Sequence, residues 1–280
     1  MAKRPRHCWP RRRHPAEALC GSRVSRSRRE QVAPILPQGP PMTRKHILVC
    51  GMSRAGTTLL HSLLMNTLPG FDFFDREVPA LAHVTHPRNL VTKRPLDCLQ
   101  LDQIEPRFAG VDLRIVFCVR DPRAVICSTH PEVPHDYFIG YRHQYFIVPA
   151  QGICEPSNPG LRQIHAAWRA VRGRAYTLHY ENLVQDPDGT QAGLFDFLGE
   201  PVSQRFSSFD ETSPVAAGMA VALNGQRPID VDSLESWTRH PLRIWNEFTE
   251  NTGLFEMVRE LGYEHDNDWF TRRYARRLAA

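Results

Sequence analysis

The stretch ILVCGMSRAGTTLL, Ile47 to Leu60, constrains the fold more than any other. Four apolar residues run into a loop bounded by Gly51 and Gly56, and Thr57-Thr58-Leu59-Leu60 then opens a helical pattern. A buried strand, a glycine-bounded turn and a helix start in that order make a cradle for an anion. The first amides of a helix lack intrahelical partners, and the helix dipole adds a favourable field. The two glycines let the backbone turn tightly and approach the ligand closely.

A nucleotide-triphosphate loop of this type reads G-x-x-x-x-G-K-[ST], its lysine reaching the terminal phosphates and its hydroxyl holding magnesium. Here the glycine spacing is kept, but Thr57 stands where the lysine belongs and Arg54 brings the charge. The second apolar run of this kind, LRIVFCVRDP, ends in Arg120 followed by Asp121. A cation at that strand end favours a second phosphate over a metal. The expected ligand is therefore held by arginines and backbone, with no metal.

Beyond the loop, short apolar runs alternate with helical patterns, which predicts an α/β fold on a mostly parallel sheet. Strands are expected at 46–51, 71–75, 89–92, 113–119 and 175–180, and helices at 57–67, 121–130, 160–172, 190–198 and about 234–262. Segment 131–158, dense in proline, histidine and aromatics, is too long for an ordinary connection and reads as a lid. Within it Tyr137, Tyr141 and Tyr145 recur four apart, as on one helical face that packs the lid or stacks on an acceptor.

Charge is unevenly spread. The chain is +5 overall, but ten of its 35 lysines and arginines fall in residues 1–41 against two of its 30 acids. Residues 42–280 thus carry 25 basic and 28 acidic side chains, a net −3. The first 41 residues, rich in Arg, Pro and Ser and without a periodic apolar face, are expected to be a disordered basic tail. Met42 is read as a candidate true start, with an over-extended reading frame before it, and 42–280 as the folded domain. The tail lacks the interleaved aromatics of a nucleic-acid surface and any apolar run of signal-peptide or anchor length. Neither a nucleic-acid partner nor a membrane anchor is expected. Cys8, Cys20, Cys50, Cys98, Cys118, Cys127 and Cys154 form no C-x-x-C pair or zinc-ligand spacing, a pattern suited to a reducing cytoplasm.

Three motifs together resemble the sulfotransferase family, which transfers a sulfonate group from 3′-phosphoadenosine 5′-phosphosulfate (PAPS) and releases 3′-phosphoadenosine 5′-phosphate (PAP). Arg54-Ala55-Gly56-Thr57-Thr58 matches its [KR]-[ST]-G-T-T loop, with alanine for the usual serine. VRDPRAVICS matches its strand, R-[DN]-P and a serine eight residues beyond the arginine, here Arg120 and Ser128. YENLVQDP, Tyr180 to Pro187, matches its Y-E-[DN]-L-x-x-[DN]-P stretch. The likeness spans roughly 44–262 and implies a three-layer α/β/α, P-loop-like fold with metal-free in-line transfer to an acceptor hydroxyl or amine.

By that resemblance Arg54, Ala55, Gly56, Thr57 and Thr58 wrap the 5′-phosphosulfate, and Arg54 meets charge growing on the bridging oxygen. Arg120 and Ser128 take the 3′-phosphate, Tyr180 lies near the adenosine, and Arg227 in NGQRPID is a further basic candidate. The plainer alternative for Arg120 is a local pair with Asp121 or Asp97, while Arg123 either assists or is solvated. A general base is required. Some relatives use histidine in K-x-H, but VTKRPLD offers Lys93-Arg94-Pro95 instead. Glu77, in FFDREVPAL, is the expected base, with His83, His86 and Asp97 as alternatives and a solvated pair with Arg76 as its plainer role. Lys93, one of three lysines in the chain, is expected to contact the leaving group or acceptor. Carbohydrate, lipid, peptide and small-alcohol acceptors all stay open, as does the oligomeric state. A nucleotide-dependent kinase and a non-catalytic PAP-binding relative are the alternatives.

Overall fold

The computed structural model describes residues 43–278 apart from 134, 211, 212, 214, 216–230, 232 and 233. The expected basic tail and Arg227 lie outside the described residues. A five-stranded parallel sheet runs in the order β2-β3-β1-β4-β7, formed by β1 (Lys45–Gly51), β2 (Asp72–Phe73), β3 (Leu90–Lys93), β4 (Asp112–Val119) and β7 (Tyr176–His179). β1 is the central strand, and Ile47, Leu48, Val49 and Cys50 are wholly buried, as a strand covered on both sheet faces requires. Flanking helices make the α/β architecture that the alternating pattern predicts.

The helices are α1 (Thr57–Thr67), α2 (Leu101–Arg107), α3 (Pro122–Ile126), α4 (Leu161–Val171), α5 (Tyr180–Gln185), α6 (Pro187–Leu198), α7 (Pro241–Glu250), α8 (Gly253–Glu260) and α9 (Asp268–Leu278). The apolar periodicity of α4 explains its docking, because Leu161, Ile164, Trp168 and Val171 fall on one face and are all buried. Phe248 of α7, Phe255 of α8 and Trp269 and Phe270 of α9 form one aromatic cluster, with ring centroids about 5–6 Å apart.

Several expectations need correction. The strand expected at 71–75 pairs only over Asp72–Phe73. The helix expected over 121–130 stops at Ile126, so Ser128 lies past its end rather than two turns into it. The helix expected over 234–262 is three pieces: a 3₁₀ turn Ser236–Arg239, then α7 opened by Pro241, then α8 after a break at Asn251 and Thr252. Proline is suited to a helix start and cannot continue one. Leu242, near the start of α7, is 55% exposed. Segment 131–158 is no helix: β5 (His143–Val148) and β6 (Ile153–Pro159) pair as an antiparallel hairpin. Tyr145 lies in β5, so the four-residue tyrosine spacing marks no helical face there.

Candidate active site

The loop after β1 turns hard against β4. A side chain at Gly51, whose φ is 123°, would lie 2.3 Å from the Cys118 carbonyl, and the Met52 amide donates to that same oxygen at 2.9 Å. Arg54 adopts a left-handed φ of 65°, an uncommon conformation for a side chain of its size. Ala55 is fully buried and its amide donates to Met52 O at 3.3 Å, so the residue that replaces the usual serine packs beneath the loop. Gly56 caps α1 in the left-handed region, φ 78°. No side chain caps this helix and no acid stands in its first turn, which leaves the first-turn amides without an internal side-chain competitor for an anion.

The three separated motifs meet here. The Arg120 guanidinium lies 4.3 Å over the Tyr180 ring and donates through Nη1 to the Arg54 carbonyl at 3.2 Å. The same ring packs on the loop so tightly that a Cβ at Gly56 would sit 2.6 Å from Tyr180 Cδ2. Neither Asp121 nor Asp97 is the partner found for Arg120. Asp97 accepts from the Ala80 amide at 2.8 Å and from Arg94 at 3.3 Å. Asp121 grips Arg123, whose guanidinium also reaches Glu264 at 2.5 Å and lies 4.4 Å from the Trp237 ring and 4.7 Å from that of Trp269. Arg123 is thus a buried structural cation rather than a solvated or assisting one.

Among the described residues, the loop brings together the two guanidiniums of Arg54 and Arg120. Burial lowers the Arg54 pKa, and the positive charge of Arg120 lowers it further. Among the described residues no carboxylate pairs with Arg54. Two guanidiniums desolvated side by side are stabilised by a bound anion. Ser128 is near the same turn, its hydroxyl donating to Val125 O at 2.8 Å and its carbonyl accepting from Phe138 N–H at 3.0 Å. His130, missed from sequence, feels the Arg54 charge: burial first, then Arg54, hold its pKa down. Its Nδ1 accepts from the Glu132 amide at 3.1 Å, and its ring lies against Phe138 with centroids 5.2 Å apart. Its place two residues after Ser128 is the only hint the sequence carries.

On the other side of β1, Lys93 ends β3 opposite Val49 and is 2% exposed. Its Nζ donates to Glu77 Oε1 at 2.6 Å, and the Val78 amide donates to Lys93 O at 3.3 Å, fixing the Glu77 segment alongside. Glu77, half exposed, is therefore paired with a buried lysine and not with Arg76, which meets Asp75. Of the alternative bases, His86 is bonded to Asp72 at 2.6 Å and His83 lies on Phe74 with centroids 4.2 Å apart.

A model described as "Sulfotransferase family" matches residues 67–204, which takes in Glu77, Lys93, Arg120, Ser128 and Tyr180 but begins beyond the loop. The solved sulfotransferase domain from the curacin biosynthetic pathway is similar at 14% identity over 70% of this chain and 91% of that one, with a TM-score of 0.44. The sulfotransferase domain of the Synechococcus PCC 7002 olefin synthase is similar at 16% identity, 72% and 90% coverage and a TM-score of 0.44. Mouse sulfotransferase SULT7A1, solved with PAP, is similar at 14% identity, 57% and 61% coverage and a TM-score of 0.38. No curated protein sequence matches. The family match thus covers 138 of the 280 residues, just under half of the chain, and the parallel α/β fold with a glycine-bounded loop ahead of α1 is the architecture that the resemblance implies.

Proposed function

We propose that the chain, as one domain over 42–280, transfers a sulfonate group from PAPS to an acceptor hydroxyl or amine by in-line displacement without a metal. The observation that carries this reading is the meeting of Arg120, Tyr180 and the Arg54–Thr58 loop at one point, from motifs more than 50 residues apart. Arg54, Gly56, Thr57 and Thr58, with Ala55 beneath them, form the cradle for the 5′-phosphosulfate. Arg120, Ser128 and Tyr180 serve the 3′-phosphate and the adenosine. Asp121, the carboxylate nearest that strand end, is engaged by Arg123, which fits recognition by cations rather than through a metal.

Glu77 is the proposed base, and Lys93 holds its carboxylate in place while bringing positive charge to the end of β3. A carboxylate paired with a buried ammonium is a fixed acceptor for the proton that the attacking hydroxyl loses. Small-molecule, carbohydrate and lipid acceptors all suit this chemistry. All five described cysteines are free thiols, which supports a reducing, cytoplasmic setting, and no helix among the described residues is long and apolar enough to cross a membrane.

Calorimetry with PAP, against ATP with magnesium, tests the donor reading. PAP should bind at least tenfold more tightly, and Arg120→Ala should remove most of that preference. Tighter binding of ATP, or a preference that survives Arg120→Ala, would overturn it.

A further inference from the structure

Arg120 occupies a turn whose next residue is held from far along the chain. The Asp121 amide donates to Glu181 Oε1 at 2.9 Å. The other Glu181 oxygen accepts from the Tyr263 hydroxyl at 2.7 Å, and His179 Nδ1 lies 3.2 Å from that hydroxyl. Tyr263 follows α8, tied by its amide to Val258 O at 3.0 Å. Its neighbour Glu264 bonds Arg123, two residues beyond Asp121. Two consecutive residues therefore hold the segment that follows Arg120, one through Glu181 and one directly.

This bonding serves more than packing. Asp121 is 6% exposed, so its amide must find a partner, but any carbonyl would satisfy it. A carboxylate whose second oxygen is locked by a phenol fixes both position and direction. Glu181 also immediately follows Tyr180, the ring on which the Arg120 guanidinium lies. One short segment thus sets the surface beneath that side chain and the backbone from which it springs.

We propose that Glu181 and Tyr263 are positioning residues for Arg120, which they hold where the 3′-phosphate of the donor is bound. This rests on the donor reading above. The residues touch no reacting atom, so loss of either should act through the 3′-phosphate alone.

The test is calorimetry with PAP and with adenosine 5′-monophosphate, which lacks the 3′-phosphate, on the folded chain and its variants, with folding checked by circular dichroism. Glu181→Ala should weaken PAP about tenfold, the scale of one hydrogen bond to a charged group, and leave the monophosphate within about twofold. Glu181→Gln, which can still accept from the Asp121 amide, should recover most of the loss. On an Arg120→Ala background, Glu181→Ala should change PAP binding little further. Equal losses for both nucleotides, or a full additional loss on that background, would show a merely structural role and overturn the proposal. Should Glu181→Ala fail to fold, Tyr263→Phe, which removes a single hydroxyl, carries the same comparison. A wild-type chain that binds PAP no better than the monophosphate overturns the donor reading and this proposal together, whereas intact wild-type discrimination that Glu181→Ala leaves unchanged overturns only the latter.

Discussion

Gly56→Ala probes the joint between the loop and Tyr180. At φ 78° an alanine meets the left-handed penalty of about 1–2 kcal/mol. Its Cβ would also lie 2.6 Å from Tyr180 Cδ2 and 3.1 Å from Cε2, so the ring must move by about 1 Å to reach ordinary contact. That movement disturbs the Arg120 stacking at 4.3 Å, a contact of roughly 0.5–2 kcal/mol. Together these effects should cost about 3 kcal/mol, or roughly 10 °C in the thermal midpoint of a domain this size. Urea unfolding of wild type, Gly56→Ala, Tyr180→Ala and the double variant separates the contributions. With the ring removed, Gly56→Ala should cost only the backbone penalty, about 1–2 kcal/mol. An equal cost with and without the ring would refute the reasoning, because the close approach would then carry no energy.

The Glu77–Lys93 pair should respond asymmetrically. Lys93→Met fills a buried position with an apolar chain and leaves Glu77 half in water, whereas Glu77→Gln strands a buried ammonium, so Glu77→Gln should be the more destabilising by about 1–2 kcal/mol in urea unfolding, and the reverse order would refute this. Both should depress turnover in a radiolabelled sulfonate-transfer assay, and unchanged turnover in Glu77→Ala would remove Glu77 as the base. His61 sets an acid limit: it is 1% exposed, neither ring nitrogen has a partner, and burial followed by the Lys93 charge lowers its pKa to about 4. The unfolded chain takes up this proton near pH 6.5 and the folded chain does not, so the contribution is flat above 6.5 and falls by about 2 kcal/mol by pH 5. His61→Leu should flatten urea-derived stability over that window, and an unchanged slope would refute the assignment.

What the sequence made legible was local. The strand, the loop and the bounds of α1 follow from an apolar run, two glycines and a threonine pair, all within one window. The failures arise where a distant partner decides. HQYFIV in β5 is rich in aromatic and β-branched residues, yet its strand character appears only when ICEPSNP pairs with it, and the prolines in the middle and at the end of the latter argue against a strand when it is read alone. α3 ends early because its chain leaves the helix at Cys127 and then bonds Phe138, again a contact outside the window. Within the site, Arg54, Glu77, Lys93, Arg120 and Tyr180 were found as residue types in motifs. Which partner each takes was not, and Arg120 meets neither Asp121 nor Asp97, the plainer partners that the sequence offered. Glu181 and Tyr263 lie 82 residues apart and share no pattern.

The arginines give the loop a charge balance suited to an anion. Residues 42–280 carry more acids than bases, so carboxylates are not scarce. Arg114, Arg123, Arg169, Arg174 and Arg243 each pair with one, at 2.5–2.9 Å. Arg54 instead is half-buried beside a second guanidinium, and the fold brings no described carboxylate to it. Burial without a counter-charge is unfavourable in isolation, and it persists here on a backbone already held in a left-handed turn. A half-buried arginine beside a second guanidinium, in front of a helix start with no side-chain cap, is a position that a bound anion would stabilise. The same imbalance is what, under the proposed donor reading, would favour negative charge growing on a departing phosphate.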